Sequence, residues 1–136
     1  MNKFQTLKGN WIVKKQIQKN ISMRGYCVIK SLSKYSYELK EDLKTNINNK
    51  LISGFQTFQI SESKNNINFY SNTEKNKKAK VYSFKKNKPY QSLYFCKKDL
   101  YLSKLEIITK NFFKIYTKIK GPKKNLAILA NYYRTI

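Results

Sequence analysis

The residues best placed to do chemistry are a lysine and a glutamate set among apolar neighbours. Lys15 shares the strand parity of Trp11, Val13 and Ile17, and Glu106 shares that of Leu100, Leu102 and Ile108. Alternate side chains of a strand point to one face, so a chain that buries those apolar residues carries each charged group inward with them. Together they suggest a polar pair inside a barrel. A buried carboxylate must be paired, hydrogen-bonded or protonated, and such groups cluster at functional sites. Each residue also has a plainer reading. A lysine stem snorkels to a rim, and a bulge at a strand end would turn Glu106 to water. The other acids are Glu38, Glu41, Asp42, Glu62, Glu74 and Asp99, and five of them fall in or beside loop-like polar stretches where a solvated surface role is expected.

The missing residues narrow the chemistry further. Histidine is absent, which excludes Ser-His-Asp and Cys-His arrangements and zinc sites built on imidazole. There is no glycine-rich phosphate loop, dinucleotide fingerprint or RNA-recognition signature. Cys27 and Cys96, the two cysteines, stand far apart with no metal-ligand spacing. Both read as small buried or half-buried hydrophobes in a reducing compartment.

Charge has to be discounted before it is interpreted. The net charge is +22, yet 27 of the 29 basic residues are lysine, alongside 15 Asn, 14 Ile and only 3 Ala, 4 Gly and 2 Pro. Lys, Asn, Ile, Tyr and Phe have A/T-rich codons, so the composition is that of an AT-rich genome such as a plastid's. A charge this large suggests nucleic acid or an anionic surface, but phosphate and base-edge recognition favours the arginine fork. Nucleic acid is therefore not the expected partner. An RNA- or ribosome-associated protein remains the rival reading.

The elements that must position these residues are strands. At 136 residues, 40% of them hydrophobic, the chain is long enough for one core, and one domain over 1–136 is expected. No apolar run approaches a membrane span, Met1 to Lys8 contain no signal-peptide core, and no membrane partner is expected. Period-two apolar runs begin at Trp11: Phe58 and Ile60; Ile67 and Phe69; Tyr82 and Phe84; Gln91, Leu93 and Phe95; Leu100 and Leu102; Phe113, Ile115 and Ile119; then Leu126, Ile128, Ala130 and Tyr132. Asn65-Asn66, Asn72 to Lys78, Lys86 to Pro89, Lys97 to Asp99 and Lys120 to Pro122 read as turns between them. Phe4 and Leu7 suit a short helix across one end. The stretch from Leu32 to Leu43 fits helical and alternating spacing equally. Eight to ten strands without a βαβ rhythm predict an all-β fold, a lipocalin-like antiparallel up-and-down barrel with a short N-terminal helix, of a size that can hold one small ligand.

Two stretches carry a family resemblance. The opening Phe4-x-x-Leu7-x-Gly9-x-Trp11 with Lys15 four residues on, and the closing Phe/Tyr-rich strand followed by Gly121-Pro122, Asn125-Leu126 and a final Tyr/Arg-bearing strand, resemble the S-type (CpcS/CpeS) phycobilin chromophore lyases. The resemblance spans nearly the whole chain. It implies a barrel that binds an open-chain tetrapyrrole (a bilin, as ligand rather than tight cofactor) and assists its thioether attachment to a cysteine of a phycobiliprotein apo-subunit, in the plastid stroma of a red-algal-type lineage. Where the family carries an arginine four positions after the tryptophan, this chain has Lys15. Thr117, Ala127 and Leu129 stand where the family has a carboxylate and two arginines. Glu106 as the catalytic acid, with Lys15, Lys123 and Lys124 as ligand-binding cations, are the residues available to take over. A non-catalytic lipocalin-like carrier shares the fold and is the second alternative.

Overall fold

In the computed structural model, which describes residues 3–18, 20–72, 78–87 and 90–135, the alternating runs form ten strands after a single 3-10 turn at Phe4–Leu7. The strands are β1 (Gly9–Ile17), β2 (Ile21–Ser33), β3 (Ser36–Ile47), β4 (Lys50–Glu62), β5 (Asn66–Asn72), β6 (Lys78–Lys85), β7 (Tyr90–Cys96), β8 (Asp99–Thr109), β9 (Phe112–Lys120) and β10 (Asn125–Arg134). Each is antiparallel to its neighbour in sequence. β10 returns to β1, with Trp11 opposite Arg134 and Ile17 opposite Ile128, and closes the barrel. Closure removes the exposed sheet edges that a flat sheet of such strands would present.

The ambiguous stretch from Leu32 to Leu43 is extended. It completes β2, turns at Lys34-Tyr35 and enters β3, where Tyr37, Leu39 and Leu43 are buried at period two. The hairpin between β3 and β4 turns on Asn48 and Asn49, whose φ values of 52° and 63° are the left-handed pair that a two-residue type I′ loop requires. Of the turn stretches, 73–77 and 88–89 lie outside the described residues. Gly25 lies where β2 and β3 approach so closely that a Cβ would meet the Asp42 carbonyl oxygen.

One end of the barrel is plugged. Phe4 and Leu7 are fully buried there, and the Trp11 Nε1–H donates to the Leu7 carbonyl at 2.9 Å. Phe113 meets the Trp11 ring edge-on at 4.8 Å between centroids, and the Arg134 guanidinium lies 4.4 Å over its face. That guanidinium also donates to the carbonyls of Thr6, Lys8 and Lys110, tying the helical turn to the last strand. Gly9, at φ +130°, lets Arg134 pass where a side chain would collide.

The two strands β7 and β8 correct the sequence-based picture of the core. Leu93 and Phe95 are 59% and 66% exposed, and Leu102 and Ile108 are exposed as well. The inward face of these strands is Tyr90, Ser92 and Tyr94, then Ser103, Leu105 and Ile107. Parity groups the residues correctly, but the apolar group of β7 and β8 is the outer one.

A charged cavity at the open end

The barrel interior is apolar at the plugged end and polar towards the other. On β1 the inward residues run Trp11, Val13, Lys15; on β3 they run Tyr37, Leu39, Glu41. The third inward residue of one run therefore meets a carboxylate at the third position of the other. Lys15 Nζ lies 3.5 Å from Glu41 Oε2, and the side chains are 18% and 2% exposed. The Tyr132 hydroxyl donates to Glu41 Oε1 at 2.7 Å, and its ring is held stacked on Phe113 at 4.3 Å.

Glu41, Lys15 and Tyr132 form one wall of a cavity of about 400 Å³. Phe58, Phe69 and Tyr82 pack against one another on another wall, and Tyr94 and Tyr101 stand 5.8 Å apart on a third. Gln56, Ser71, Cys96 and Thr117 complete the polar lining. Burial pushes the Tyr132 phenol well above its usual range, and the adjacent Glu41 pushes it further. Burial likewise raises Tyr82. The Cys27 thiol, opposite Glu41 across the β2–β3 ladder, is raised far above the thiol range by burial and then by Glu41, against a lowering by Lys15. It is held neutral, so it is not an activated nucleophile. What the wall offers a ligand is a carboxylate with lone pairs beyond its two bonds, an ammonium group and aromatic faces.

The residues singled out from sequence fall in three places. Lys15 is in the cavity wall. Lys123 and Lys124 are exposed in the β9–β10 loop at the open end, with Lys124 Nζ 3.8 Å from an Asp99 oxygen, so they stand at the mouth and not in the cavity. Glu106 is elsewhere: it lies opposite Lys114 on the outer face of β8 and β9, near the plugged end. The inward orientation expected for it is corrected, because its parity partners Leu102 and Ile108 themselves face outward. Thr117 lines the cavity, whereas Ala127 and Leu129 alternate with the lining residues Ile128 and Ala130. Cys96 is exposed and not a core residue.

Sequence reasoning missed Glu41. Its signal was present, since Tyr37, Leu39, Glu41 and Leu43 share a parity, but it could be used only once Leu32 to Leu43 was known to be strand. Among the described residues no cluster of potential ligands could hold a metal ion, and no helix is long and apolar enough to cross a membrane.

Fold and site together define a closed antiparallel barrel with a charge-bearing cavity open at one end. The chain belongs to DUF6314, a family of unknown function whose model matches residues 7–134. No curated protein matches it at a comparable level. Among solved structures it is similar to an S-type phycobiliprotein lyase, CPES from Guillardia theta, with a TM-score of 0.64 at 10% identity over 98% of this chain and 90% of that one. It is also similar to a de novo designed fluorescence-activating barrel, with a TM-score of 0.58 at 9% identity over 99% of both chains. The structure of EF1p2_mFAP2b bound to DFHBI gives a TM-score of 0.56 at 12% identity over 98% of both chains. At these identities the likeness is one of fold.

Proposed function

We propose that the barrel binds an open-chain tetrapyrrole and assists its thioether attachment to a cysteine of a phycobiliprotein apo-subunit. The observation that carries this reading is the pairing of Glu41 and Lys15 in one aromatic-walled cavity. A bilin presents propionates, which attract a cation, and pyrrole N–H groups, which attract a carboxylate. Lys15, the more exposed of the pair, takes a propionate. Glu41, held by Tyr132, accepts from the pyrroles, and Phe58 and Tyr82 face the conjugated plane. The role first considered for Glu106 passes to Glu41, and Lys123 and Lys124 attract the second propionate at the mouth. The fold shared with a phycobiliprotein lyase and with fluorogen-binding barrels supports the reading.

Chemically, the acceptor thiol adds across the vinylic group of ring A. A carbon–sulfur bond forms, the thiol proton ends on the neighbouring carbon, and nothing leaves or is oxidised. The protein's part is positional. A cavity of about 400 Å³ lies near the low end of the ~300–1,000 Å³ of ligand sites, so part of a long bilin stays at the mouth within reach of a thiol. Holding it in one conformation gives effective molarities of ~10⁵ M or more. This reading keeps the plastid stroma as the site of action.

Titration of the purified protein with phycocyanobilin, followed by visible spectroscopy, tests it. A shifted and sharpened bilin band is expected in the wild type, and a weakened one in Glu41→Gln. An unchanged spectrum overturns the reading. A shift without chromophore transfer to a co-expressed apo-subunit makes the protein a carrier.

A further inference from the structure

Among the described residues the ladder between β6 and β7 is short. Within them these strands pair only at Lys85 opposite Gln91, whereas β7 runs paired to β8 from Tyr90 opposite Leu105 to Cys96 opposite Asp99. Next along the seam a side chain replaces the ladder, and the Ser83 N–H donates to the Ser92 hydroxyl at 2.8 Å. A groove of about 760 Å³ lies over this seam, walled by Leu93 and Leu102 and edged by Lys85, Lys104 and Lys118. Leu93 belongs to the outward apolar face of β7, and an exposed apolar patch rimmed by charge marks an interaction site. The groove backs onto the cavity. Ser103 lines the groove and shares a 3.1 Å hydrogen bond with Thr117, which lines the cavity.

We propose that this groove docks an extended acidic segment of a partner protein, which lies along the outer face of β7 and β8 and sets its apolar side chains on Leu93 and Leu102. Leu93 and Leu102 stand opposite each other across the β7–β8 ladder and give one continuous apolar floor for such a segment. The three lysines call for acidic residues at the segment's other positions. A second copy of this chain would bring its own +22 charge against them, and a nucleic acid would leave Leu93 and Phe95 uncovered. Resting on the bilin reading, the segment is that of the acceptor subunit, and the groove brings its cysteine to the cavity wall nearest Thr117.

The probe is a fluorescein-labelled peptide of about nine residues alternating Glu and Val, with Gln-for-Glu and Lys-for-Glu counterparts, read by anisotropy. The acidic peptide should bind at least ~10-fold more tightly than the Gln peptide. Lys85→Glu with Lys104→Glu should cost ~10-fold, and Lys14→Glu with Lys44→Glu, beside the separate outer hollow of β1 to β3, no more than about 2-fold. Bound peptide should slow hydrogen exchange in β7 and β8 of the wild type. Equal losses from the two double variants, equal affinity for the neutral peptide, or unslowed exchange in those strands each overturn the proposal. Peptide binding without a bilin shift removes the bilin reading and leaves the groove; a bilin shift without peptide binding does the reverse.

Discussion

Glu41 and Glu62 are buried glutamates on adjacent strands at opposite ends of one barrel, and they differ in what satisfies them. Glu62, at the plugged end, accepts the backbone N–H groups of Lys3 at 2.8 Å and Phe4 at 2.9 Å and pairs with Lys86. Its bonds tie the helical turn to the end of β4, so its charge is spent on closing the barrel. Glu41 is bonded by Tyr132 and Lys15, side chains that share its cavity. A buried charge held by the backbone is part of the fold. One held by side chains in an open cavity can exchange a partner for a ligand, at a desolvation cost already met on folding.

Breaking the plugged end should have the largest effect. Trp11→Ala removes a fully buried ring packed edge-on against Phe113 and should cost about 3–5 kcal/mol in chemical denaturation. Glu62→Gln turns an amide N–H₂ towards one of two backbone donors and should cost about 1–3 kcal/mol, with ligand affinity of the folded fraction unchanged. Loss of ligand binding without loss of stability in either variant would reverse the contrast between the two ends.

Glu41→Gln sharpens the same contrast. Lys15 reaches water and tolerates the loss, so stability should change by no more than ~1 kcal/mol, while bilin affinity falls by ~10-fold or more, the worth of a charged hydrogen bond. A variant that unfolds instead would place Glu41 with Glu62 as a structural charge.

Much of the fold was legible because β-branched and aromatic residues alternate from Trp11 to Tyr132, and Phe4 and Leu7 marked the end that the helical turn covers. The site was half legible. Lys15 follows from parity with Trp11 and Val13, but parity cannot say which face is inside. On β8 apolar residues occupy both faces, Leu105 and Ile107 inward and Leu102 and Ile108 outward, and Glu106 was drawn to the wrong one. Glu41 was hidden by Leu32, Tyr35, Leu39 and Leu43, whose helical spacing is coincidental: Leu32 precedes a hairpin turn, Tyr35 lies in it, and both are exposed. The Asn48-Asn49 turn that separates β3 from β4 would have exposed the error.

The buried groups around Glu41 also carry a pH dependence. The Cys27 thiol is raised from 9.0 and the Tyr132 phenol from 10.0, both first by burial and then by Glu41. These groups keep their protons in the fold and lose them in the unfolded chain. Stability is therefore complete below about pH 9 and declines as pH rises towards the folded-state values. Cys27→Ala should flatten the part of the decline that begins near pH 9, by about 1 kcal/mol between pH 8 and 10 in urea midpoints. A decline of unchanged slope would mean that the thiol is not shielded.

The smallest effect is expected at Glu106, and it decides whether the outer face of β8 has been assigned correctly. Glu106 stands opposite Lys114 across the β8–β9 ladder, away from the cavity lining. A cross-strand pair on a solvated face is worth roughly 0.2–1 kcal/mol, and Gln keeps the stem and its packing, so Glu106→Gln should move stability by less than about 0.5 kcal/mol. Bilin affinity should be the same as in the wild type, because no bond of Glu41, Lys15 or Tyr132 passes through it. Paired with Glu41→Gln in one titration series, the variant separates the glutamate that lies in the cavity from the one that parity alone pointed to. Loss of binding in Glu106→Gln with Glu41→Gln unaffected would mean that β8 is turned over in solution and that the cavity wall is not the one described.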